Sequence, residues 1–247
     1  MDSDRAAPTD HAVPAAAGPS NAVGASGRDA GRETATDTAR PGVLAIRHGL
    51  TQWNADSRWQ GWADVPLSAV GEEQAAHAAA AAHGLLHAHR PLRVVSSDLE
   101  RAQRTAQQFV AALRTRDPRT IVDLRERDIG EWSGLTTDEI EARWPGWLDR
   151  WRGGELDRTP SGEFEDALKA RVSRALESLC AEAAGDGAVI IAVTHGGVIR
   201  TLERLYGVDT RPVGNLAGRW FHAENGGVVA GAPVELLSGV GGGGTSL

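Results

Sequence analysis

The 247-residue chain is 41% hydrophobic and 24% charged, with a formal net charge of −7. That length suits one large domain or two small ones, with apolar content enough for a core. The acidic balance argues against a nucleic-acid partner, no apolar run approaches the ~20 residues of a membrane helix, and a single cysteine, Cys180, excludes an internal disulfide or a Cys-based zinc cluster. Residues 1–40 contain no Leu, Ile, Phe, Trp or Tyr, so they are expected to form a disordered tail. The glycine-rich end, 238–247, is expected to be flexible, which leaves one folded domain over 41–237. The N-terminus carries early Asp residues and no apolar stretch of a secretory signal, making the cytoplasm the expected compartment. Lys169 is the single lysine among 26 basic residues, so arginine abundance by itself carries no functional information.

In chain order, Val43 to Ile46 is a short apolar run ending at Arg47-His48-Gly49, a buried strand. Ser68 to His89 is an Ala-rich helix with Ser68 as N-cap. Leu92 to Val95 is a second strand, followed by a helix from Leu99 to Arg114 capped by Ser97 or Asp98. Thr120 to Asp123 reads as a third strand leading into Leu124-Arg125-Glu126. Residues 130–160 are rich in Gly, Pro, Trp and charge, with a short helix over Thr137–Arg143. Phe164 to Ala184 has helical periodicity, and Ala188 to Val193 is the most apolar strand, ending at Thr194-His195-Gly196-Gly197. A helix over Val198–Tyr206 and a hairpin of Arg219–Ala223 with Val228–Leu237 complete the chain. Strands alternating with helices predict an α/β fold, a three-layer sandwich with a mostly parallel central sheet flanked by helices.

Two strands therefore end on His-Gly, and in open α/β sheets ligands bind beyond the carboxyl ends of the strands. Arg47 beside His48, and a helix start at Gly196 beside His195, together describe an anion pocket, most simply one for phosphate. A metal is a weaker fit, because no carboxylate stands at matching spacing and Arg47 would repel a cation. Arg101 lies in the first turn of a helix, where the dipole disfavours a cation and a bound anion would explain it. Glu126 follows the third strand and is the one carboxylate placed to act as a general acid there.

These residues form a pattern. Arg47-His48-Gly49-x-Thr51-x-Trp53-Asn54 resembles the signature of the histidine phosphatase superfamily, in its phosphoglycerate-mutase-like branch. The resemblance continues through Gln60-Gly61, Asp64-x-Pro66-Leu67-Ser68, Ser96-Ser97-Asp98-Leu99-x-Arg101-Ala102, Leu124-Arg125-Glu126 and Thr194-His195-Gly196-Gly197, in family order over about 43–200. It implies His48 as the phosphorylated nucleophile, with Arg47, Arg101 and a protonated His195 around the phosphoryl oxygens. It also implies Glu126 as the acid that protonates the leaving alkoxide and then deprotonates water. Gly49, Thr51, Asn54, Gln60, Gly61 and Gly196 fall in the matching substrate-binding positions. The resemblance implies no metal and no cofactor.

Within the family, mutases carry Glu-Arg-His-Tyr at the acid, whereas this chain reads Glu126-Arg127-Asp128-Ile129. An acid at Asp128 should disfavour a second phosphate, which points to the phosphatase subgroup. The expected activity is hydrolysis of a small-molecule phosphomonoester, with a mutase or a catalytically silent phospho-ligand binding module as alternatives. A homodimer is the assembly kept in view. The insert of about 132–160 is expected to form a small helical cover over the site. Trp144, Trp147 and Trp151 would make one helical stripe, and Arg143, Arg150, Arg152 and Arg158 are candidates for a second anionic group. Phe164 stands where the family commonly has Ser, which puts a hydrogen bond there in doubt. His83 and His87 have metal-ligand spacing but no carboxylate joins them.

Overall fold

The computed structural model describes residues 37–86 and 90–237. The expected tails at 1–36 and 238–247, and His87 with His89, lie outside the described residues. Six strands form one sheet: β1 (Gly42–Arg47), β2 (Leu92–Ser96), β3 (Arg119–Thr120), β4 (Val189–Thr194), β5 (Ala217–Glu224) and β6 (Gly227–Glu235), in the order β3-β2-β4-β1-β5-β6. The first four in that order run parallel and the β5–β6 hairpin is antiparallel. The helices are α1 (Gln52–Ala55), α2 (Ala69–Leu86), α3 (Glu100–Leu113), α4 (Thr137–Arg143), α5 (Trp147–Arg152), α6 (Glu165–Asp186) and α7 (Gly196–Leu205).

Alternation along the fully buried strands creates the layers. Leu44, Ile46, Ile191, Val193 and Trp220 pack beneath α2 and α3, through Ala75, Ala78, Ala82 and Phe109. Val43, Ala45, Ile190, Ala192 and Phe221 face the other way, onto Leu168, Val172 and Leu176 of α6 and Ile199 and Leu202 of α7. The alanines of α2 matter because small side chains let the helix lie close to the sheet. The insert has its own smaller core of Trp132, Ile140 and Leu148, with Trp59, Trp144, Trp147 and Trp151 packed around it.

Four local expectations differ from the structure. β3 stops at Thr120, and Val122–Leu124 is a 3-10 turn instead of strand, because only two residues pair with β2. The cap of α3 is not Ser97 or Asp98: Leu99 is its N-cap, and the Glu100 N–H donates to Oδ1 of Asp64 from another loop at 2.7 Å. Trp144, Trp147 and Trp151 are not one stripe, since Gly146 in the left-handed region separates α4 from α5. Ordered chain also begins before Pro41. Asp37 is buried, accepts the Ala232 N–H and pairs with His222 at 3.1 Å, so a polar residue ties this stretch down where hydrophobicity gave no signal.

Candidate active site

The centre of the sheet sets the geometry. β1 pairs with β4 in a register that puts Arg47 opposite Thr194, and the His48 N–H donates to the Thr194 carbonyl at 3.0 Å. The following residues, His48 and His195, thus leave the sheet side by side, with ring centroids 5.2 Å apart. β1 leads towards β2 on one side and β4 towards β5 on the other, so this is the switch point of the sheet.

Arg47, His48, Asn54, Gln60, Gly61, Arg101, Glu126 and Gly196 line one cavity of about 100 Å³, joined there by Arg58, Trp59, Arg127, Ile129, Trp151, Gly197 and Arg200. Gly49, Thr51 and the fully buried His195 do not line it. The Gly49 N–H donates to Thr105 at 3.0 Å, and a side chain at Gly49 would meet the Gly71 carbonyl. Thr51 caps α1, its hydroxyl taking the Asn54 N–H and the Gln60 amide at 2.8 Å. Both hold the loop that presents Asn54 and Gln60.

The proton of His48 can be placed from its partners. Nδ1 lies 2.7 Å from the Gly49 carbonyl, which can only accept, so Nδ1 carries the hydrogen. Arg101 Nε, which can only donate, lies 3.2 Å from Nε2. The lone pair therefore sits on Nε2. Burial, then the charges of Arg101 and Arg47, push the imidazole well below its ordinary range and keep it neutral. Burial and Arg101 depress His195 in the same way, so the protein's own groups oppose the protonated His195 that the family resemblance implies. His195 Nε2 is 2.9 Å from the Ser97 hydroxyl, and its Nδ1 is buried without a partner.

Arg101 is fully buried, its two terminal nitrogens donating to the Ala63 and Gly61 carbonyls at 2.7 Å each. Arg47 donates to the Val213 carbonyl at 2.7 Å. Burial lowers both guanidinium groups to about 10, which leaves them charged at neutral pH. Glu126 receives the Arg127 N–H at 2.9 Å and the Gly197 N–H at 3.0 Å. Gly197 has to be glycine for this contact, because a Cβ there would lie 2.3 Å from Glu126 Oε1.

The cavity adjoins an outer cleft of about 860 Å³, sharing Trp59, Arg127, Trp151, Gly197 and Arg200 and adding Arg152, Phe164, Lys169 and Arg204. Of the insert arginines, only Arg152 lines it; Arg150 pairs with Glu155, Arg158 lies over the Phe164 ring, and Arg143 is exposed. Phe164 is the N-cap of α6 without a side-chain hydrogen bond. Asp128 lines neither space, and its carboxylate accepts the Gly130 N–H at 2.9 Å to shape the loop. The argument from its charge against a second phosphate therefore loses its footing. Arg127 and Arg200 were missed as lining residues; only their closeness in sequence to Glu126 and Gly197 could have flagged them. Among the described residues no group of three or more His, Cys, Asp or Glu is placed to hold a metal ion, and no helix is long and apolar enough to cross a membrane. Cys180 lies on the buried face of α6, and its thiol is pushed up to about 12 by burial.

A cavity of arginines around a neutral, lone-pair-bearing histidine matches what family comparison finds. Residues 43–224 match the model of the histidine phosphatase superfamily, branch 1. The chain belongs to that superfamily, has its phosphoglycerate-mutase-like fold, and is a phosphatase. It is 37% identical over 180 residues to a glucosyl-3-phosphoglycerate phosphatase of Mycolicibacterium vanbaalenii, covering 69% of this chain and 77% of that one. It is 39% identical over 158 residues to a probable phosphoglycerate mutase of Salmonella paratyphi C, covering 62% and 69%. The solved structure of a mycobacterial glucosyl-3-phosphoglycerate phosphatase with VO3 superposes with a TM-score of 0.65 at 30% identity, over 78% of this chain and 96% of that one.

Proposed function

We propose that the protein hydrolyses small phosphorylated metabolites without a metal, through a phosphohistidine on His48. The observation that carries this reading is the fixed tautomer of His48, which leaves the Nε2 lone pair beside the Arg101 guanidinium at the cavity wall. Nε2 attacks phosphorus, forming the N–P bond as the ester P–O bond breaks. Glu126, as the carboxylic acid, gives its proton to the departing alkoxide. The resulting carboxylate takes a proton from water, whose oxygen attacks phosphorus and returns the electron pair to Nε2. Arg47 and Arg101 supply the charge that a metal would otherwise supply, and a phosphate dianion beside His195 would turn its proton affinity upwards. The outer cleft, walled by Trp59, Trp151 and Arg127, receives the leaving group. Buried Arg127 Nη1 has no hydrogen-bond partner, which suits an anionic or hydroxyl-rich alcohol.

The test is phosphate release in EDTA from p-nitrophenyl phosphate, phosphoserine, 3-phosphoglycerate, glucosyl-3-phosphoglycerate and α-ribazole phosphate, with His48→Ala beside the wild type. EDTA-resistant release that vanishes in the variant is expected, and the ranking names the leaving group. The mutase-named relative favours one second reading. Interconversion of 2- and 3-phosphoglycerate in place of hydrolysis would establish it, and neither activity would leave a silent binding module.

A further inference from the structure

We infer that Arg171, which lies outside the cavity, is a positioning residue for Glu126: it fastens the backbone that aims the carboxylate at the leaving-group oxygen. The inference rests on the reading of Glu126 as the general acid. The need arises from the fold. Because β3 ends at Thr120, the chain from Asp123 to Glu126 has no neighbouring strand to take its carbonyls. Side chains take them instead. Arg171 Nη1 donates to the Asp123 and Arg125 carbonyls at 2.8 and 2.7 Å, and Nη2 donates to the Glu126 carbonyl at 2.8 Å. Thr194, at the end of β4, donates to the Leu124 carbonyl at 2.7 Å, and Trp62 Nε1 adds a second donor to the Glu126 carbonyl at 2.6 Å. Four consecutive carbonyls are thus held by side chains.

The remaining donors of Arg171 are held too. Nε and Nη2 reach the two Glu163 oxygens at 2.7 and 2.9 Å, so all five guanidinium hydrogens have acceptors. Arg171 is 11% exposed and Glu163 12%, flanking the apolar stripe of Leu168, Val172 and Leu176 on α6. A cation at the edge of a core stripe needs such partners. Lysine, with three donors on one nitrogen, cannot span three carbonyls and a carboxylate. The consequence for chemistry is selective. A displaced Glu126 matters most where the leaving alkoxide needs its proton and least for p-nitrophenolate, which departs as the anion.

The experiment compares kcat/KM for p-nitrophenyl phosphate with that for an alkyl monoester such as phosphoserine, in wild type, Glu126→Gln, Arg171→Met, Arg171→Lys and Trp62→Phe. kcat/KM reports the phosphoryl transfer to His48 even if later hydrolysis limits turnover. Glu126→Gln should lower the alkyl value on the order of 10²-fold more than the aryl value. Arg171→Met should show the same selectivity with inhibition by inorganic phosphate unchanged, and Arg171→Lys should recover it only in part. Trp62→Phe removes one exposed donor without threatening the fold, and should give a selective loss of about 2- to 10-fold. If Arg171→Met does not fold, Trp62→Phe and Arg171→Lys decide. A uniform loss on both substrates, or none, in the variants that fold would overturn the role of Arg171 while Glu126→Gln stays selective. If Glu126→Gln itself is unselective, the general-acid reading falls and this inference falls with it.

Discussion

The cations of the inner cavity and those of the outer cleft are held differently. Arg47 and Arg101 are anchored by main-chain carbonyls, from Val213, Ala63 and Gly61. Carbonyls fix position without cancelling charge, so the full guanidinium charge faces an incoming phosphoryl group. In the cleft, Arg127 is paired with Glu165, and Lys169 reaches Glu165 and Asp166. Each of those two cations already has a carboxylate partner before any ligand arrives. Under the proposed function, the difference assigns affinity for phosphate to the inner cavity and selectivity among alcohols to the outer cleft. The inner site centres on two strand ends and a helix start, whereas the outer one lies between the insert and the helices α6 and α7.

The largest effect should come from the nucleophile. His48→Ala should lower phosphate release on the order of 10⁴-fold or more on every substrate, measured at saturating concentration. Arg101→Ala and Arg47→Ala come next, at about 10²- to 10³-fold each on all substrates alike, since each removes a fixed charge from the transition state. The comparison breaks if either loss depends on the leaving group. Arg152→Ala and Trp151→Ala should instead reorder the substrates, with changes within about 10-fold on p-nitrophenyl phosphate. Gly197→Ala should act as Glu126→Gln does, because the added methyl group displaces the carboxylate.

Two pH effects are smaller. With both guanidinium groups at about 10, kcat/KM should decline through that pH as their charge is lost, a limb absent from an enzyme relying on unperturbed arginine. His48 and His195 are held below the ordinary 6.5 in the folded protein, so the unfolded chain binds protons first as pH falls. Stability should therefore be full above about 6.5 and diminish below it. Urea midpoints at pH 7.5 and 5.5 check this, and the shift should shrink in His195→Asn.

Much of the inner site was legible because its signals are local. An apolar run ending on Arg47-His48-Gly49, and another ending on Thr194-His195-Gly196, locate both histidines on the rim from adjacent residues alone. The continuous apolar runs of β1 and β4, alternating with helical segments such as α6, likewise pointed to the layers. What sequence could not show is what closes through space. The carbonyl of Val213 under Arg47, Asp64 capping α3, and Arg171 reaching three carbonyls all join residues far apart in the chain. Asp128 illustrates the opposite error. Its charge was read as facing a substrate, when its side chain caps the turn at Gly130. The tryptophans of the insert gave composition but not arrangement, because one left-handed glycine, Gly146, breaks their helix in two.

The central claim is that the Nε2 lone pair of His48 takes the phosphoryl group. Rapid mixing of the protein with ³²P-labelled substrate in EDTA, followed by denaturation in alkali, tests it most directly. The account predicts an acid-labile, alkali-stable label on the peptide carrying His48, formed at least as fast as turnover and absent in His48→Ala. Undiminished hydrolysis by His48→Ala, or turnover with no label on that peptide, would contradict it.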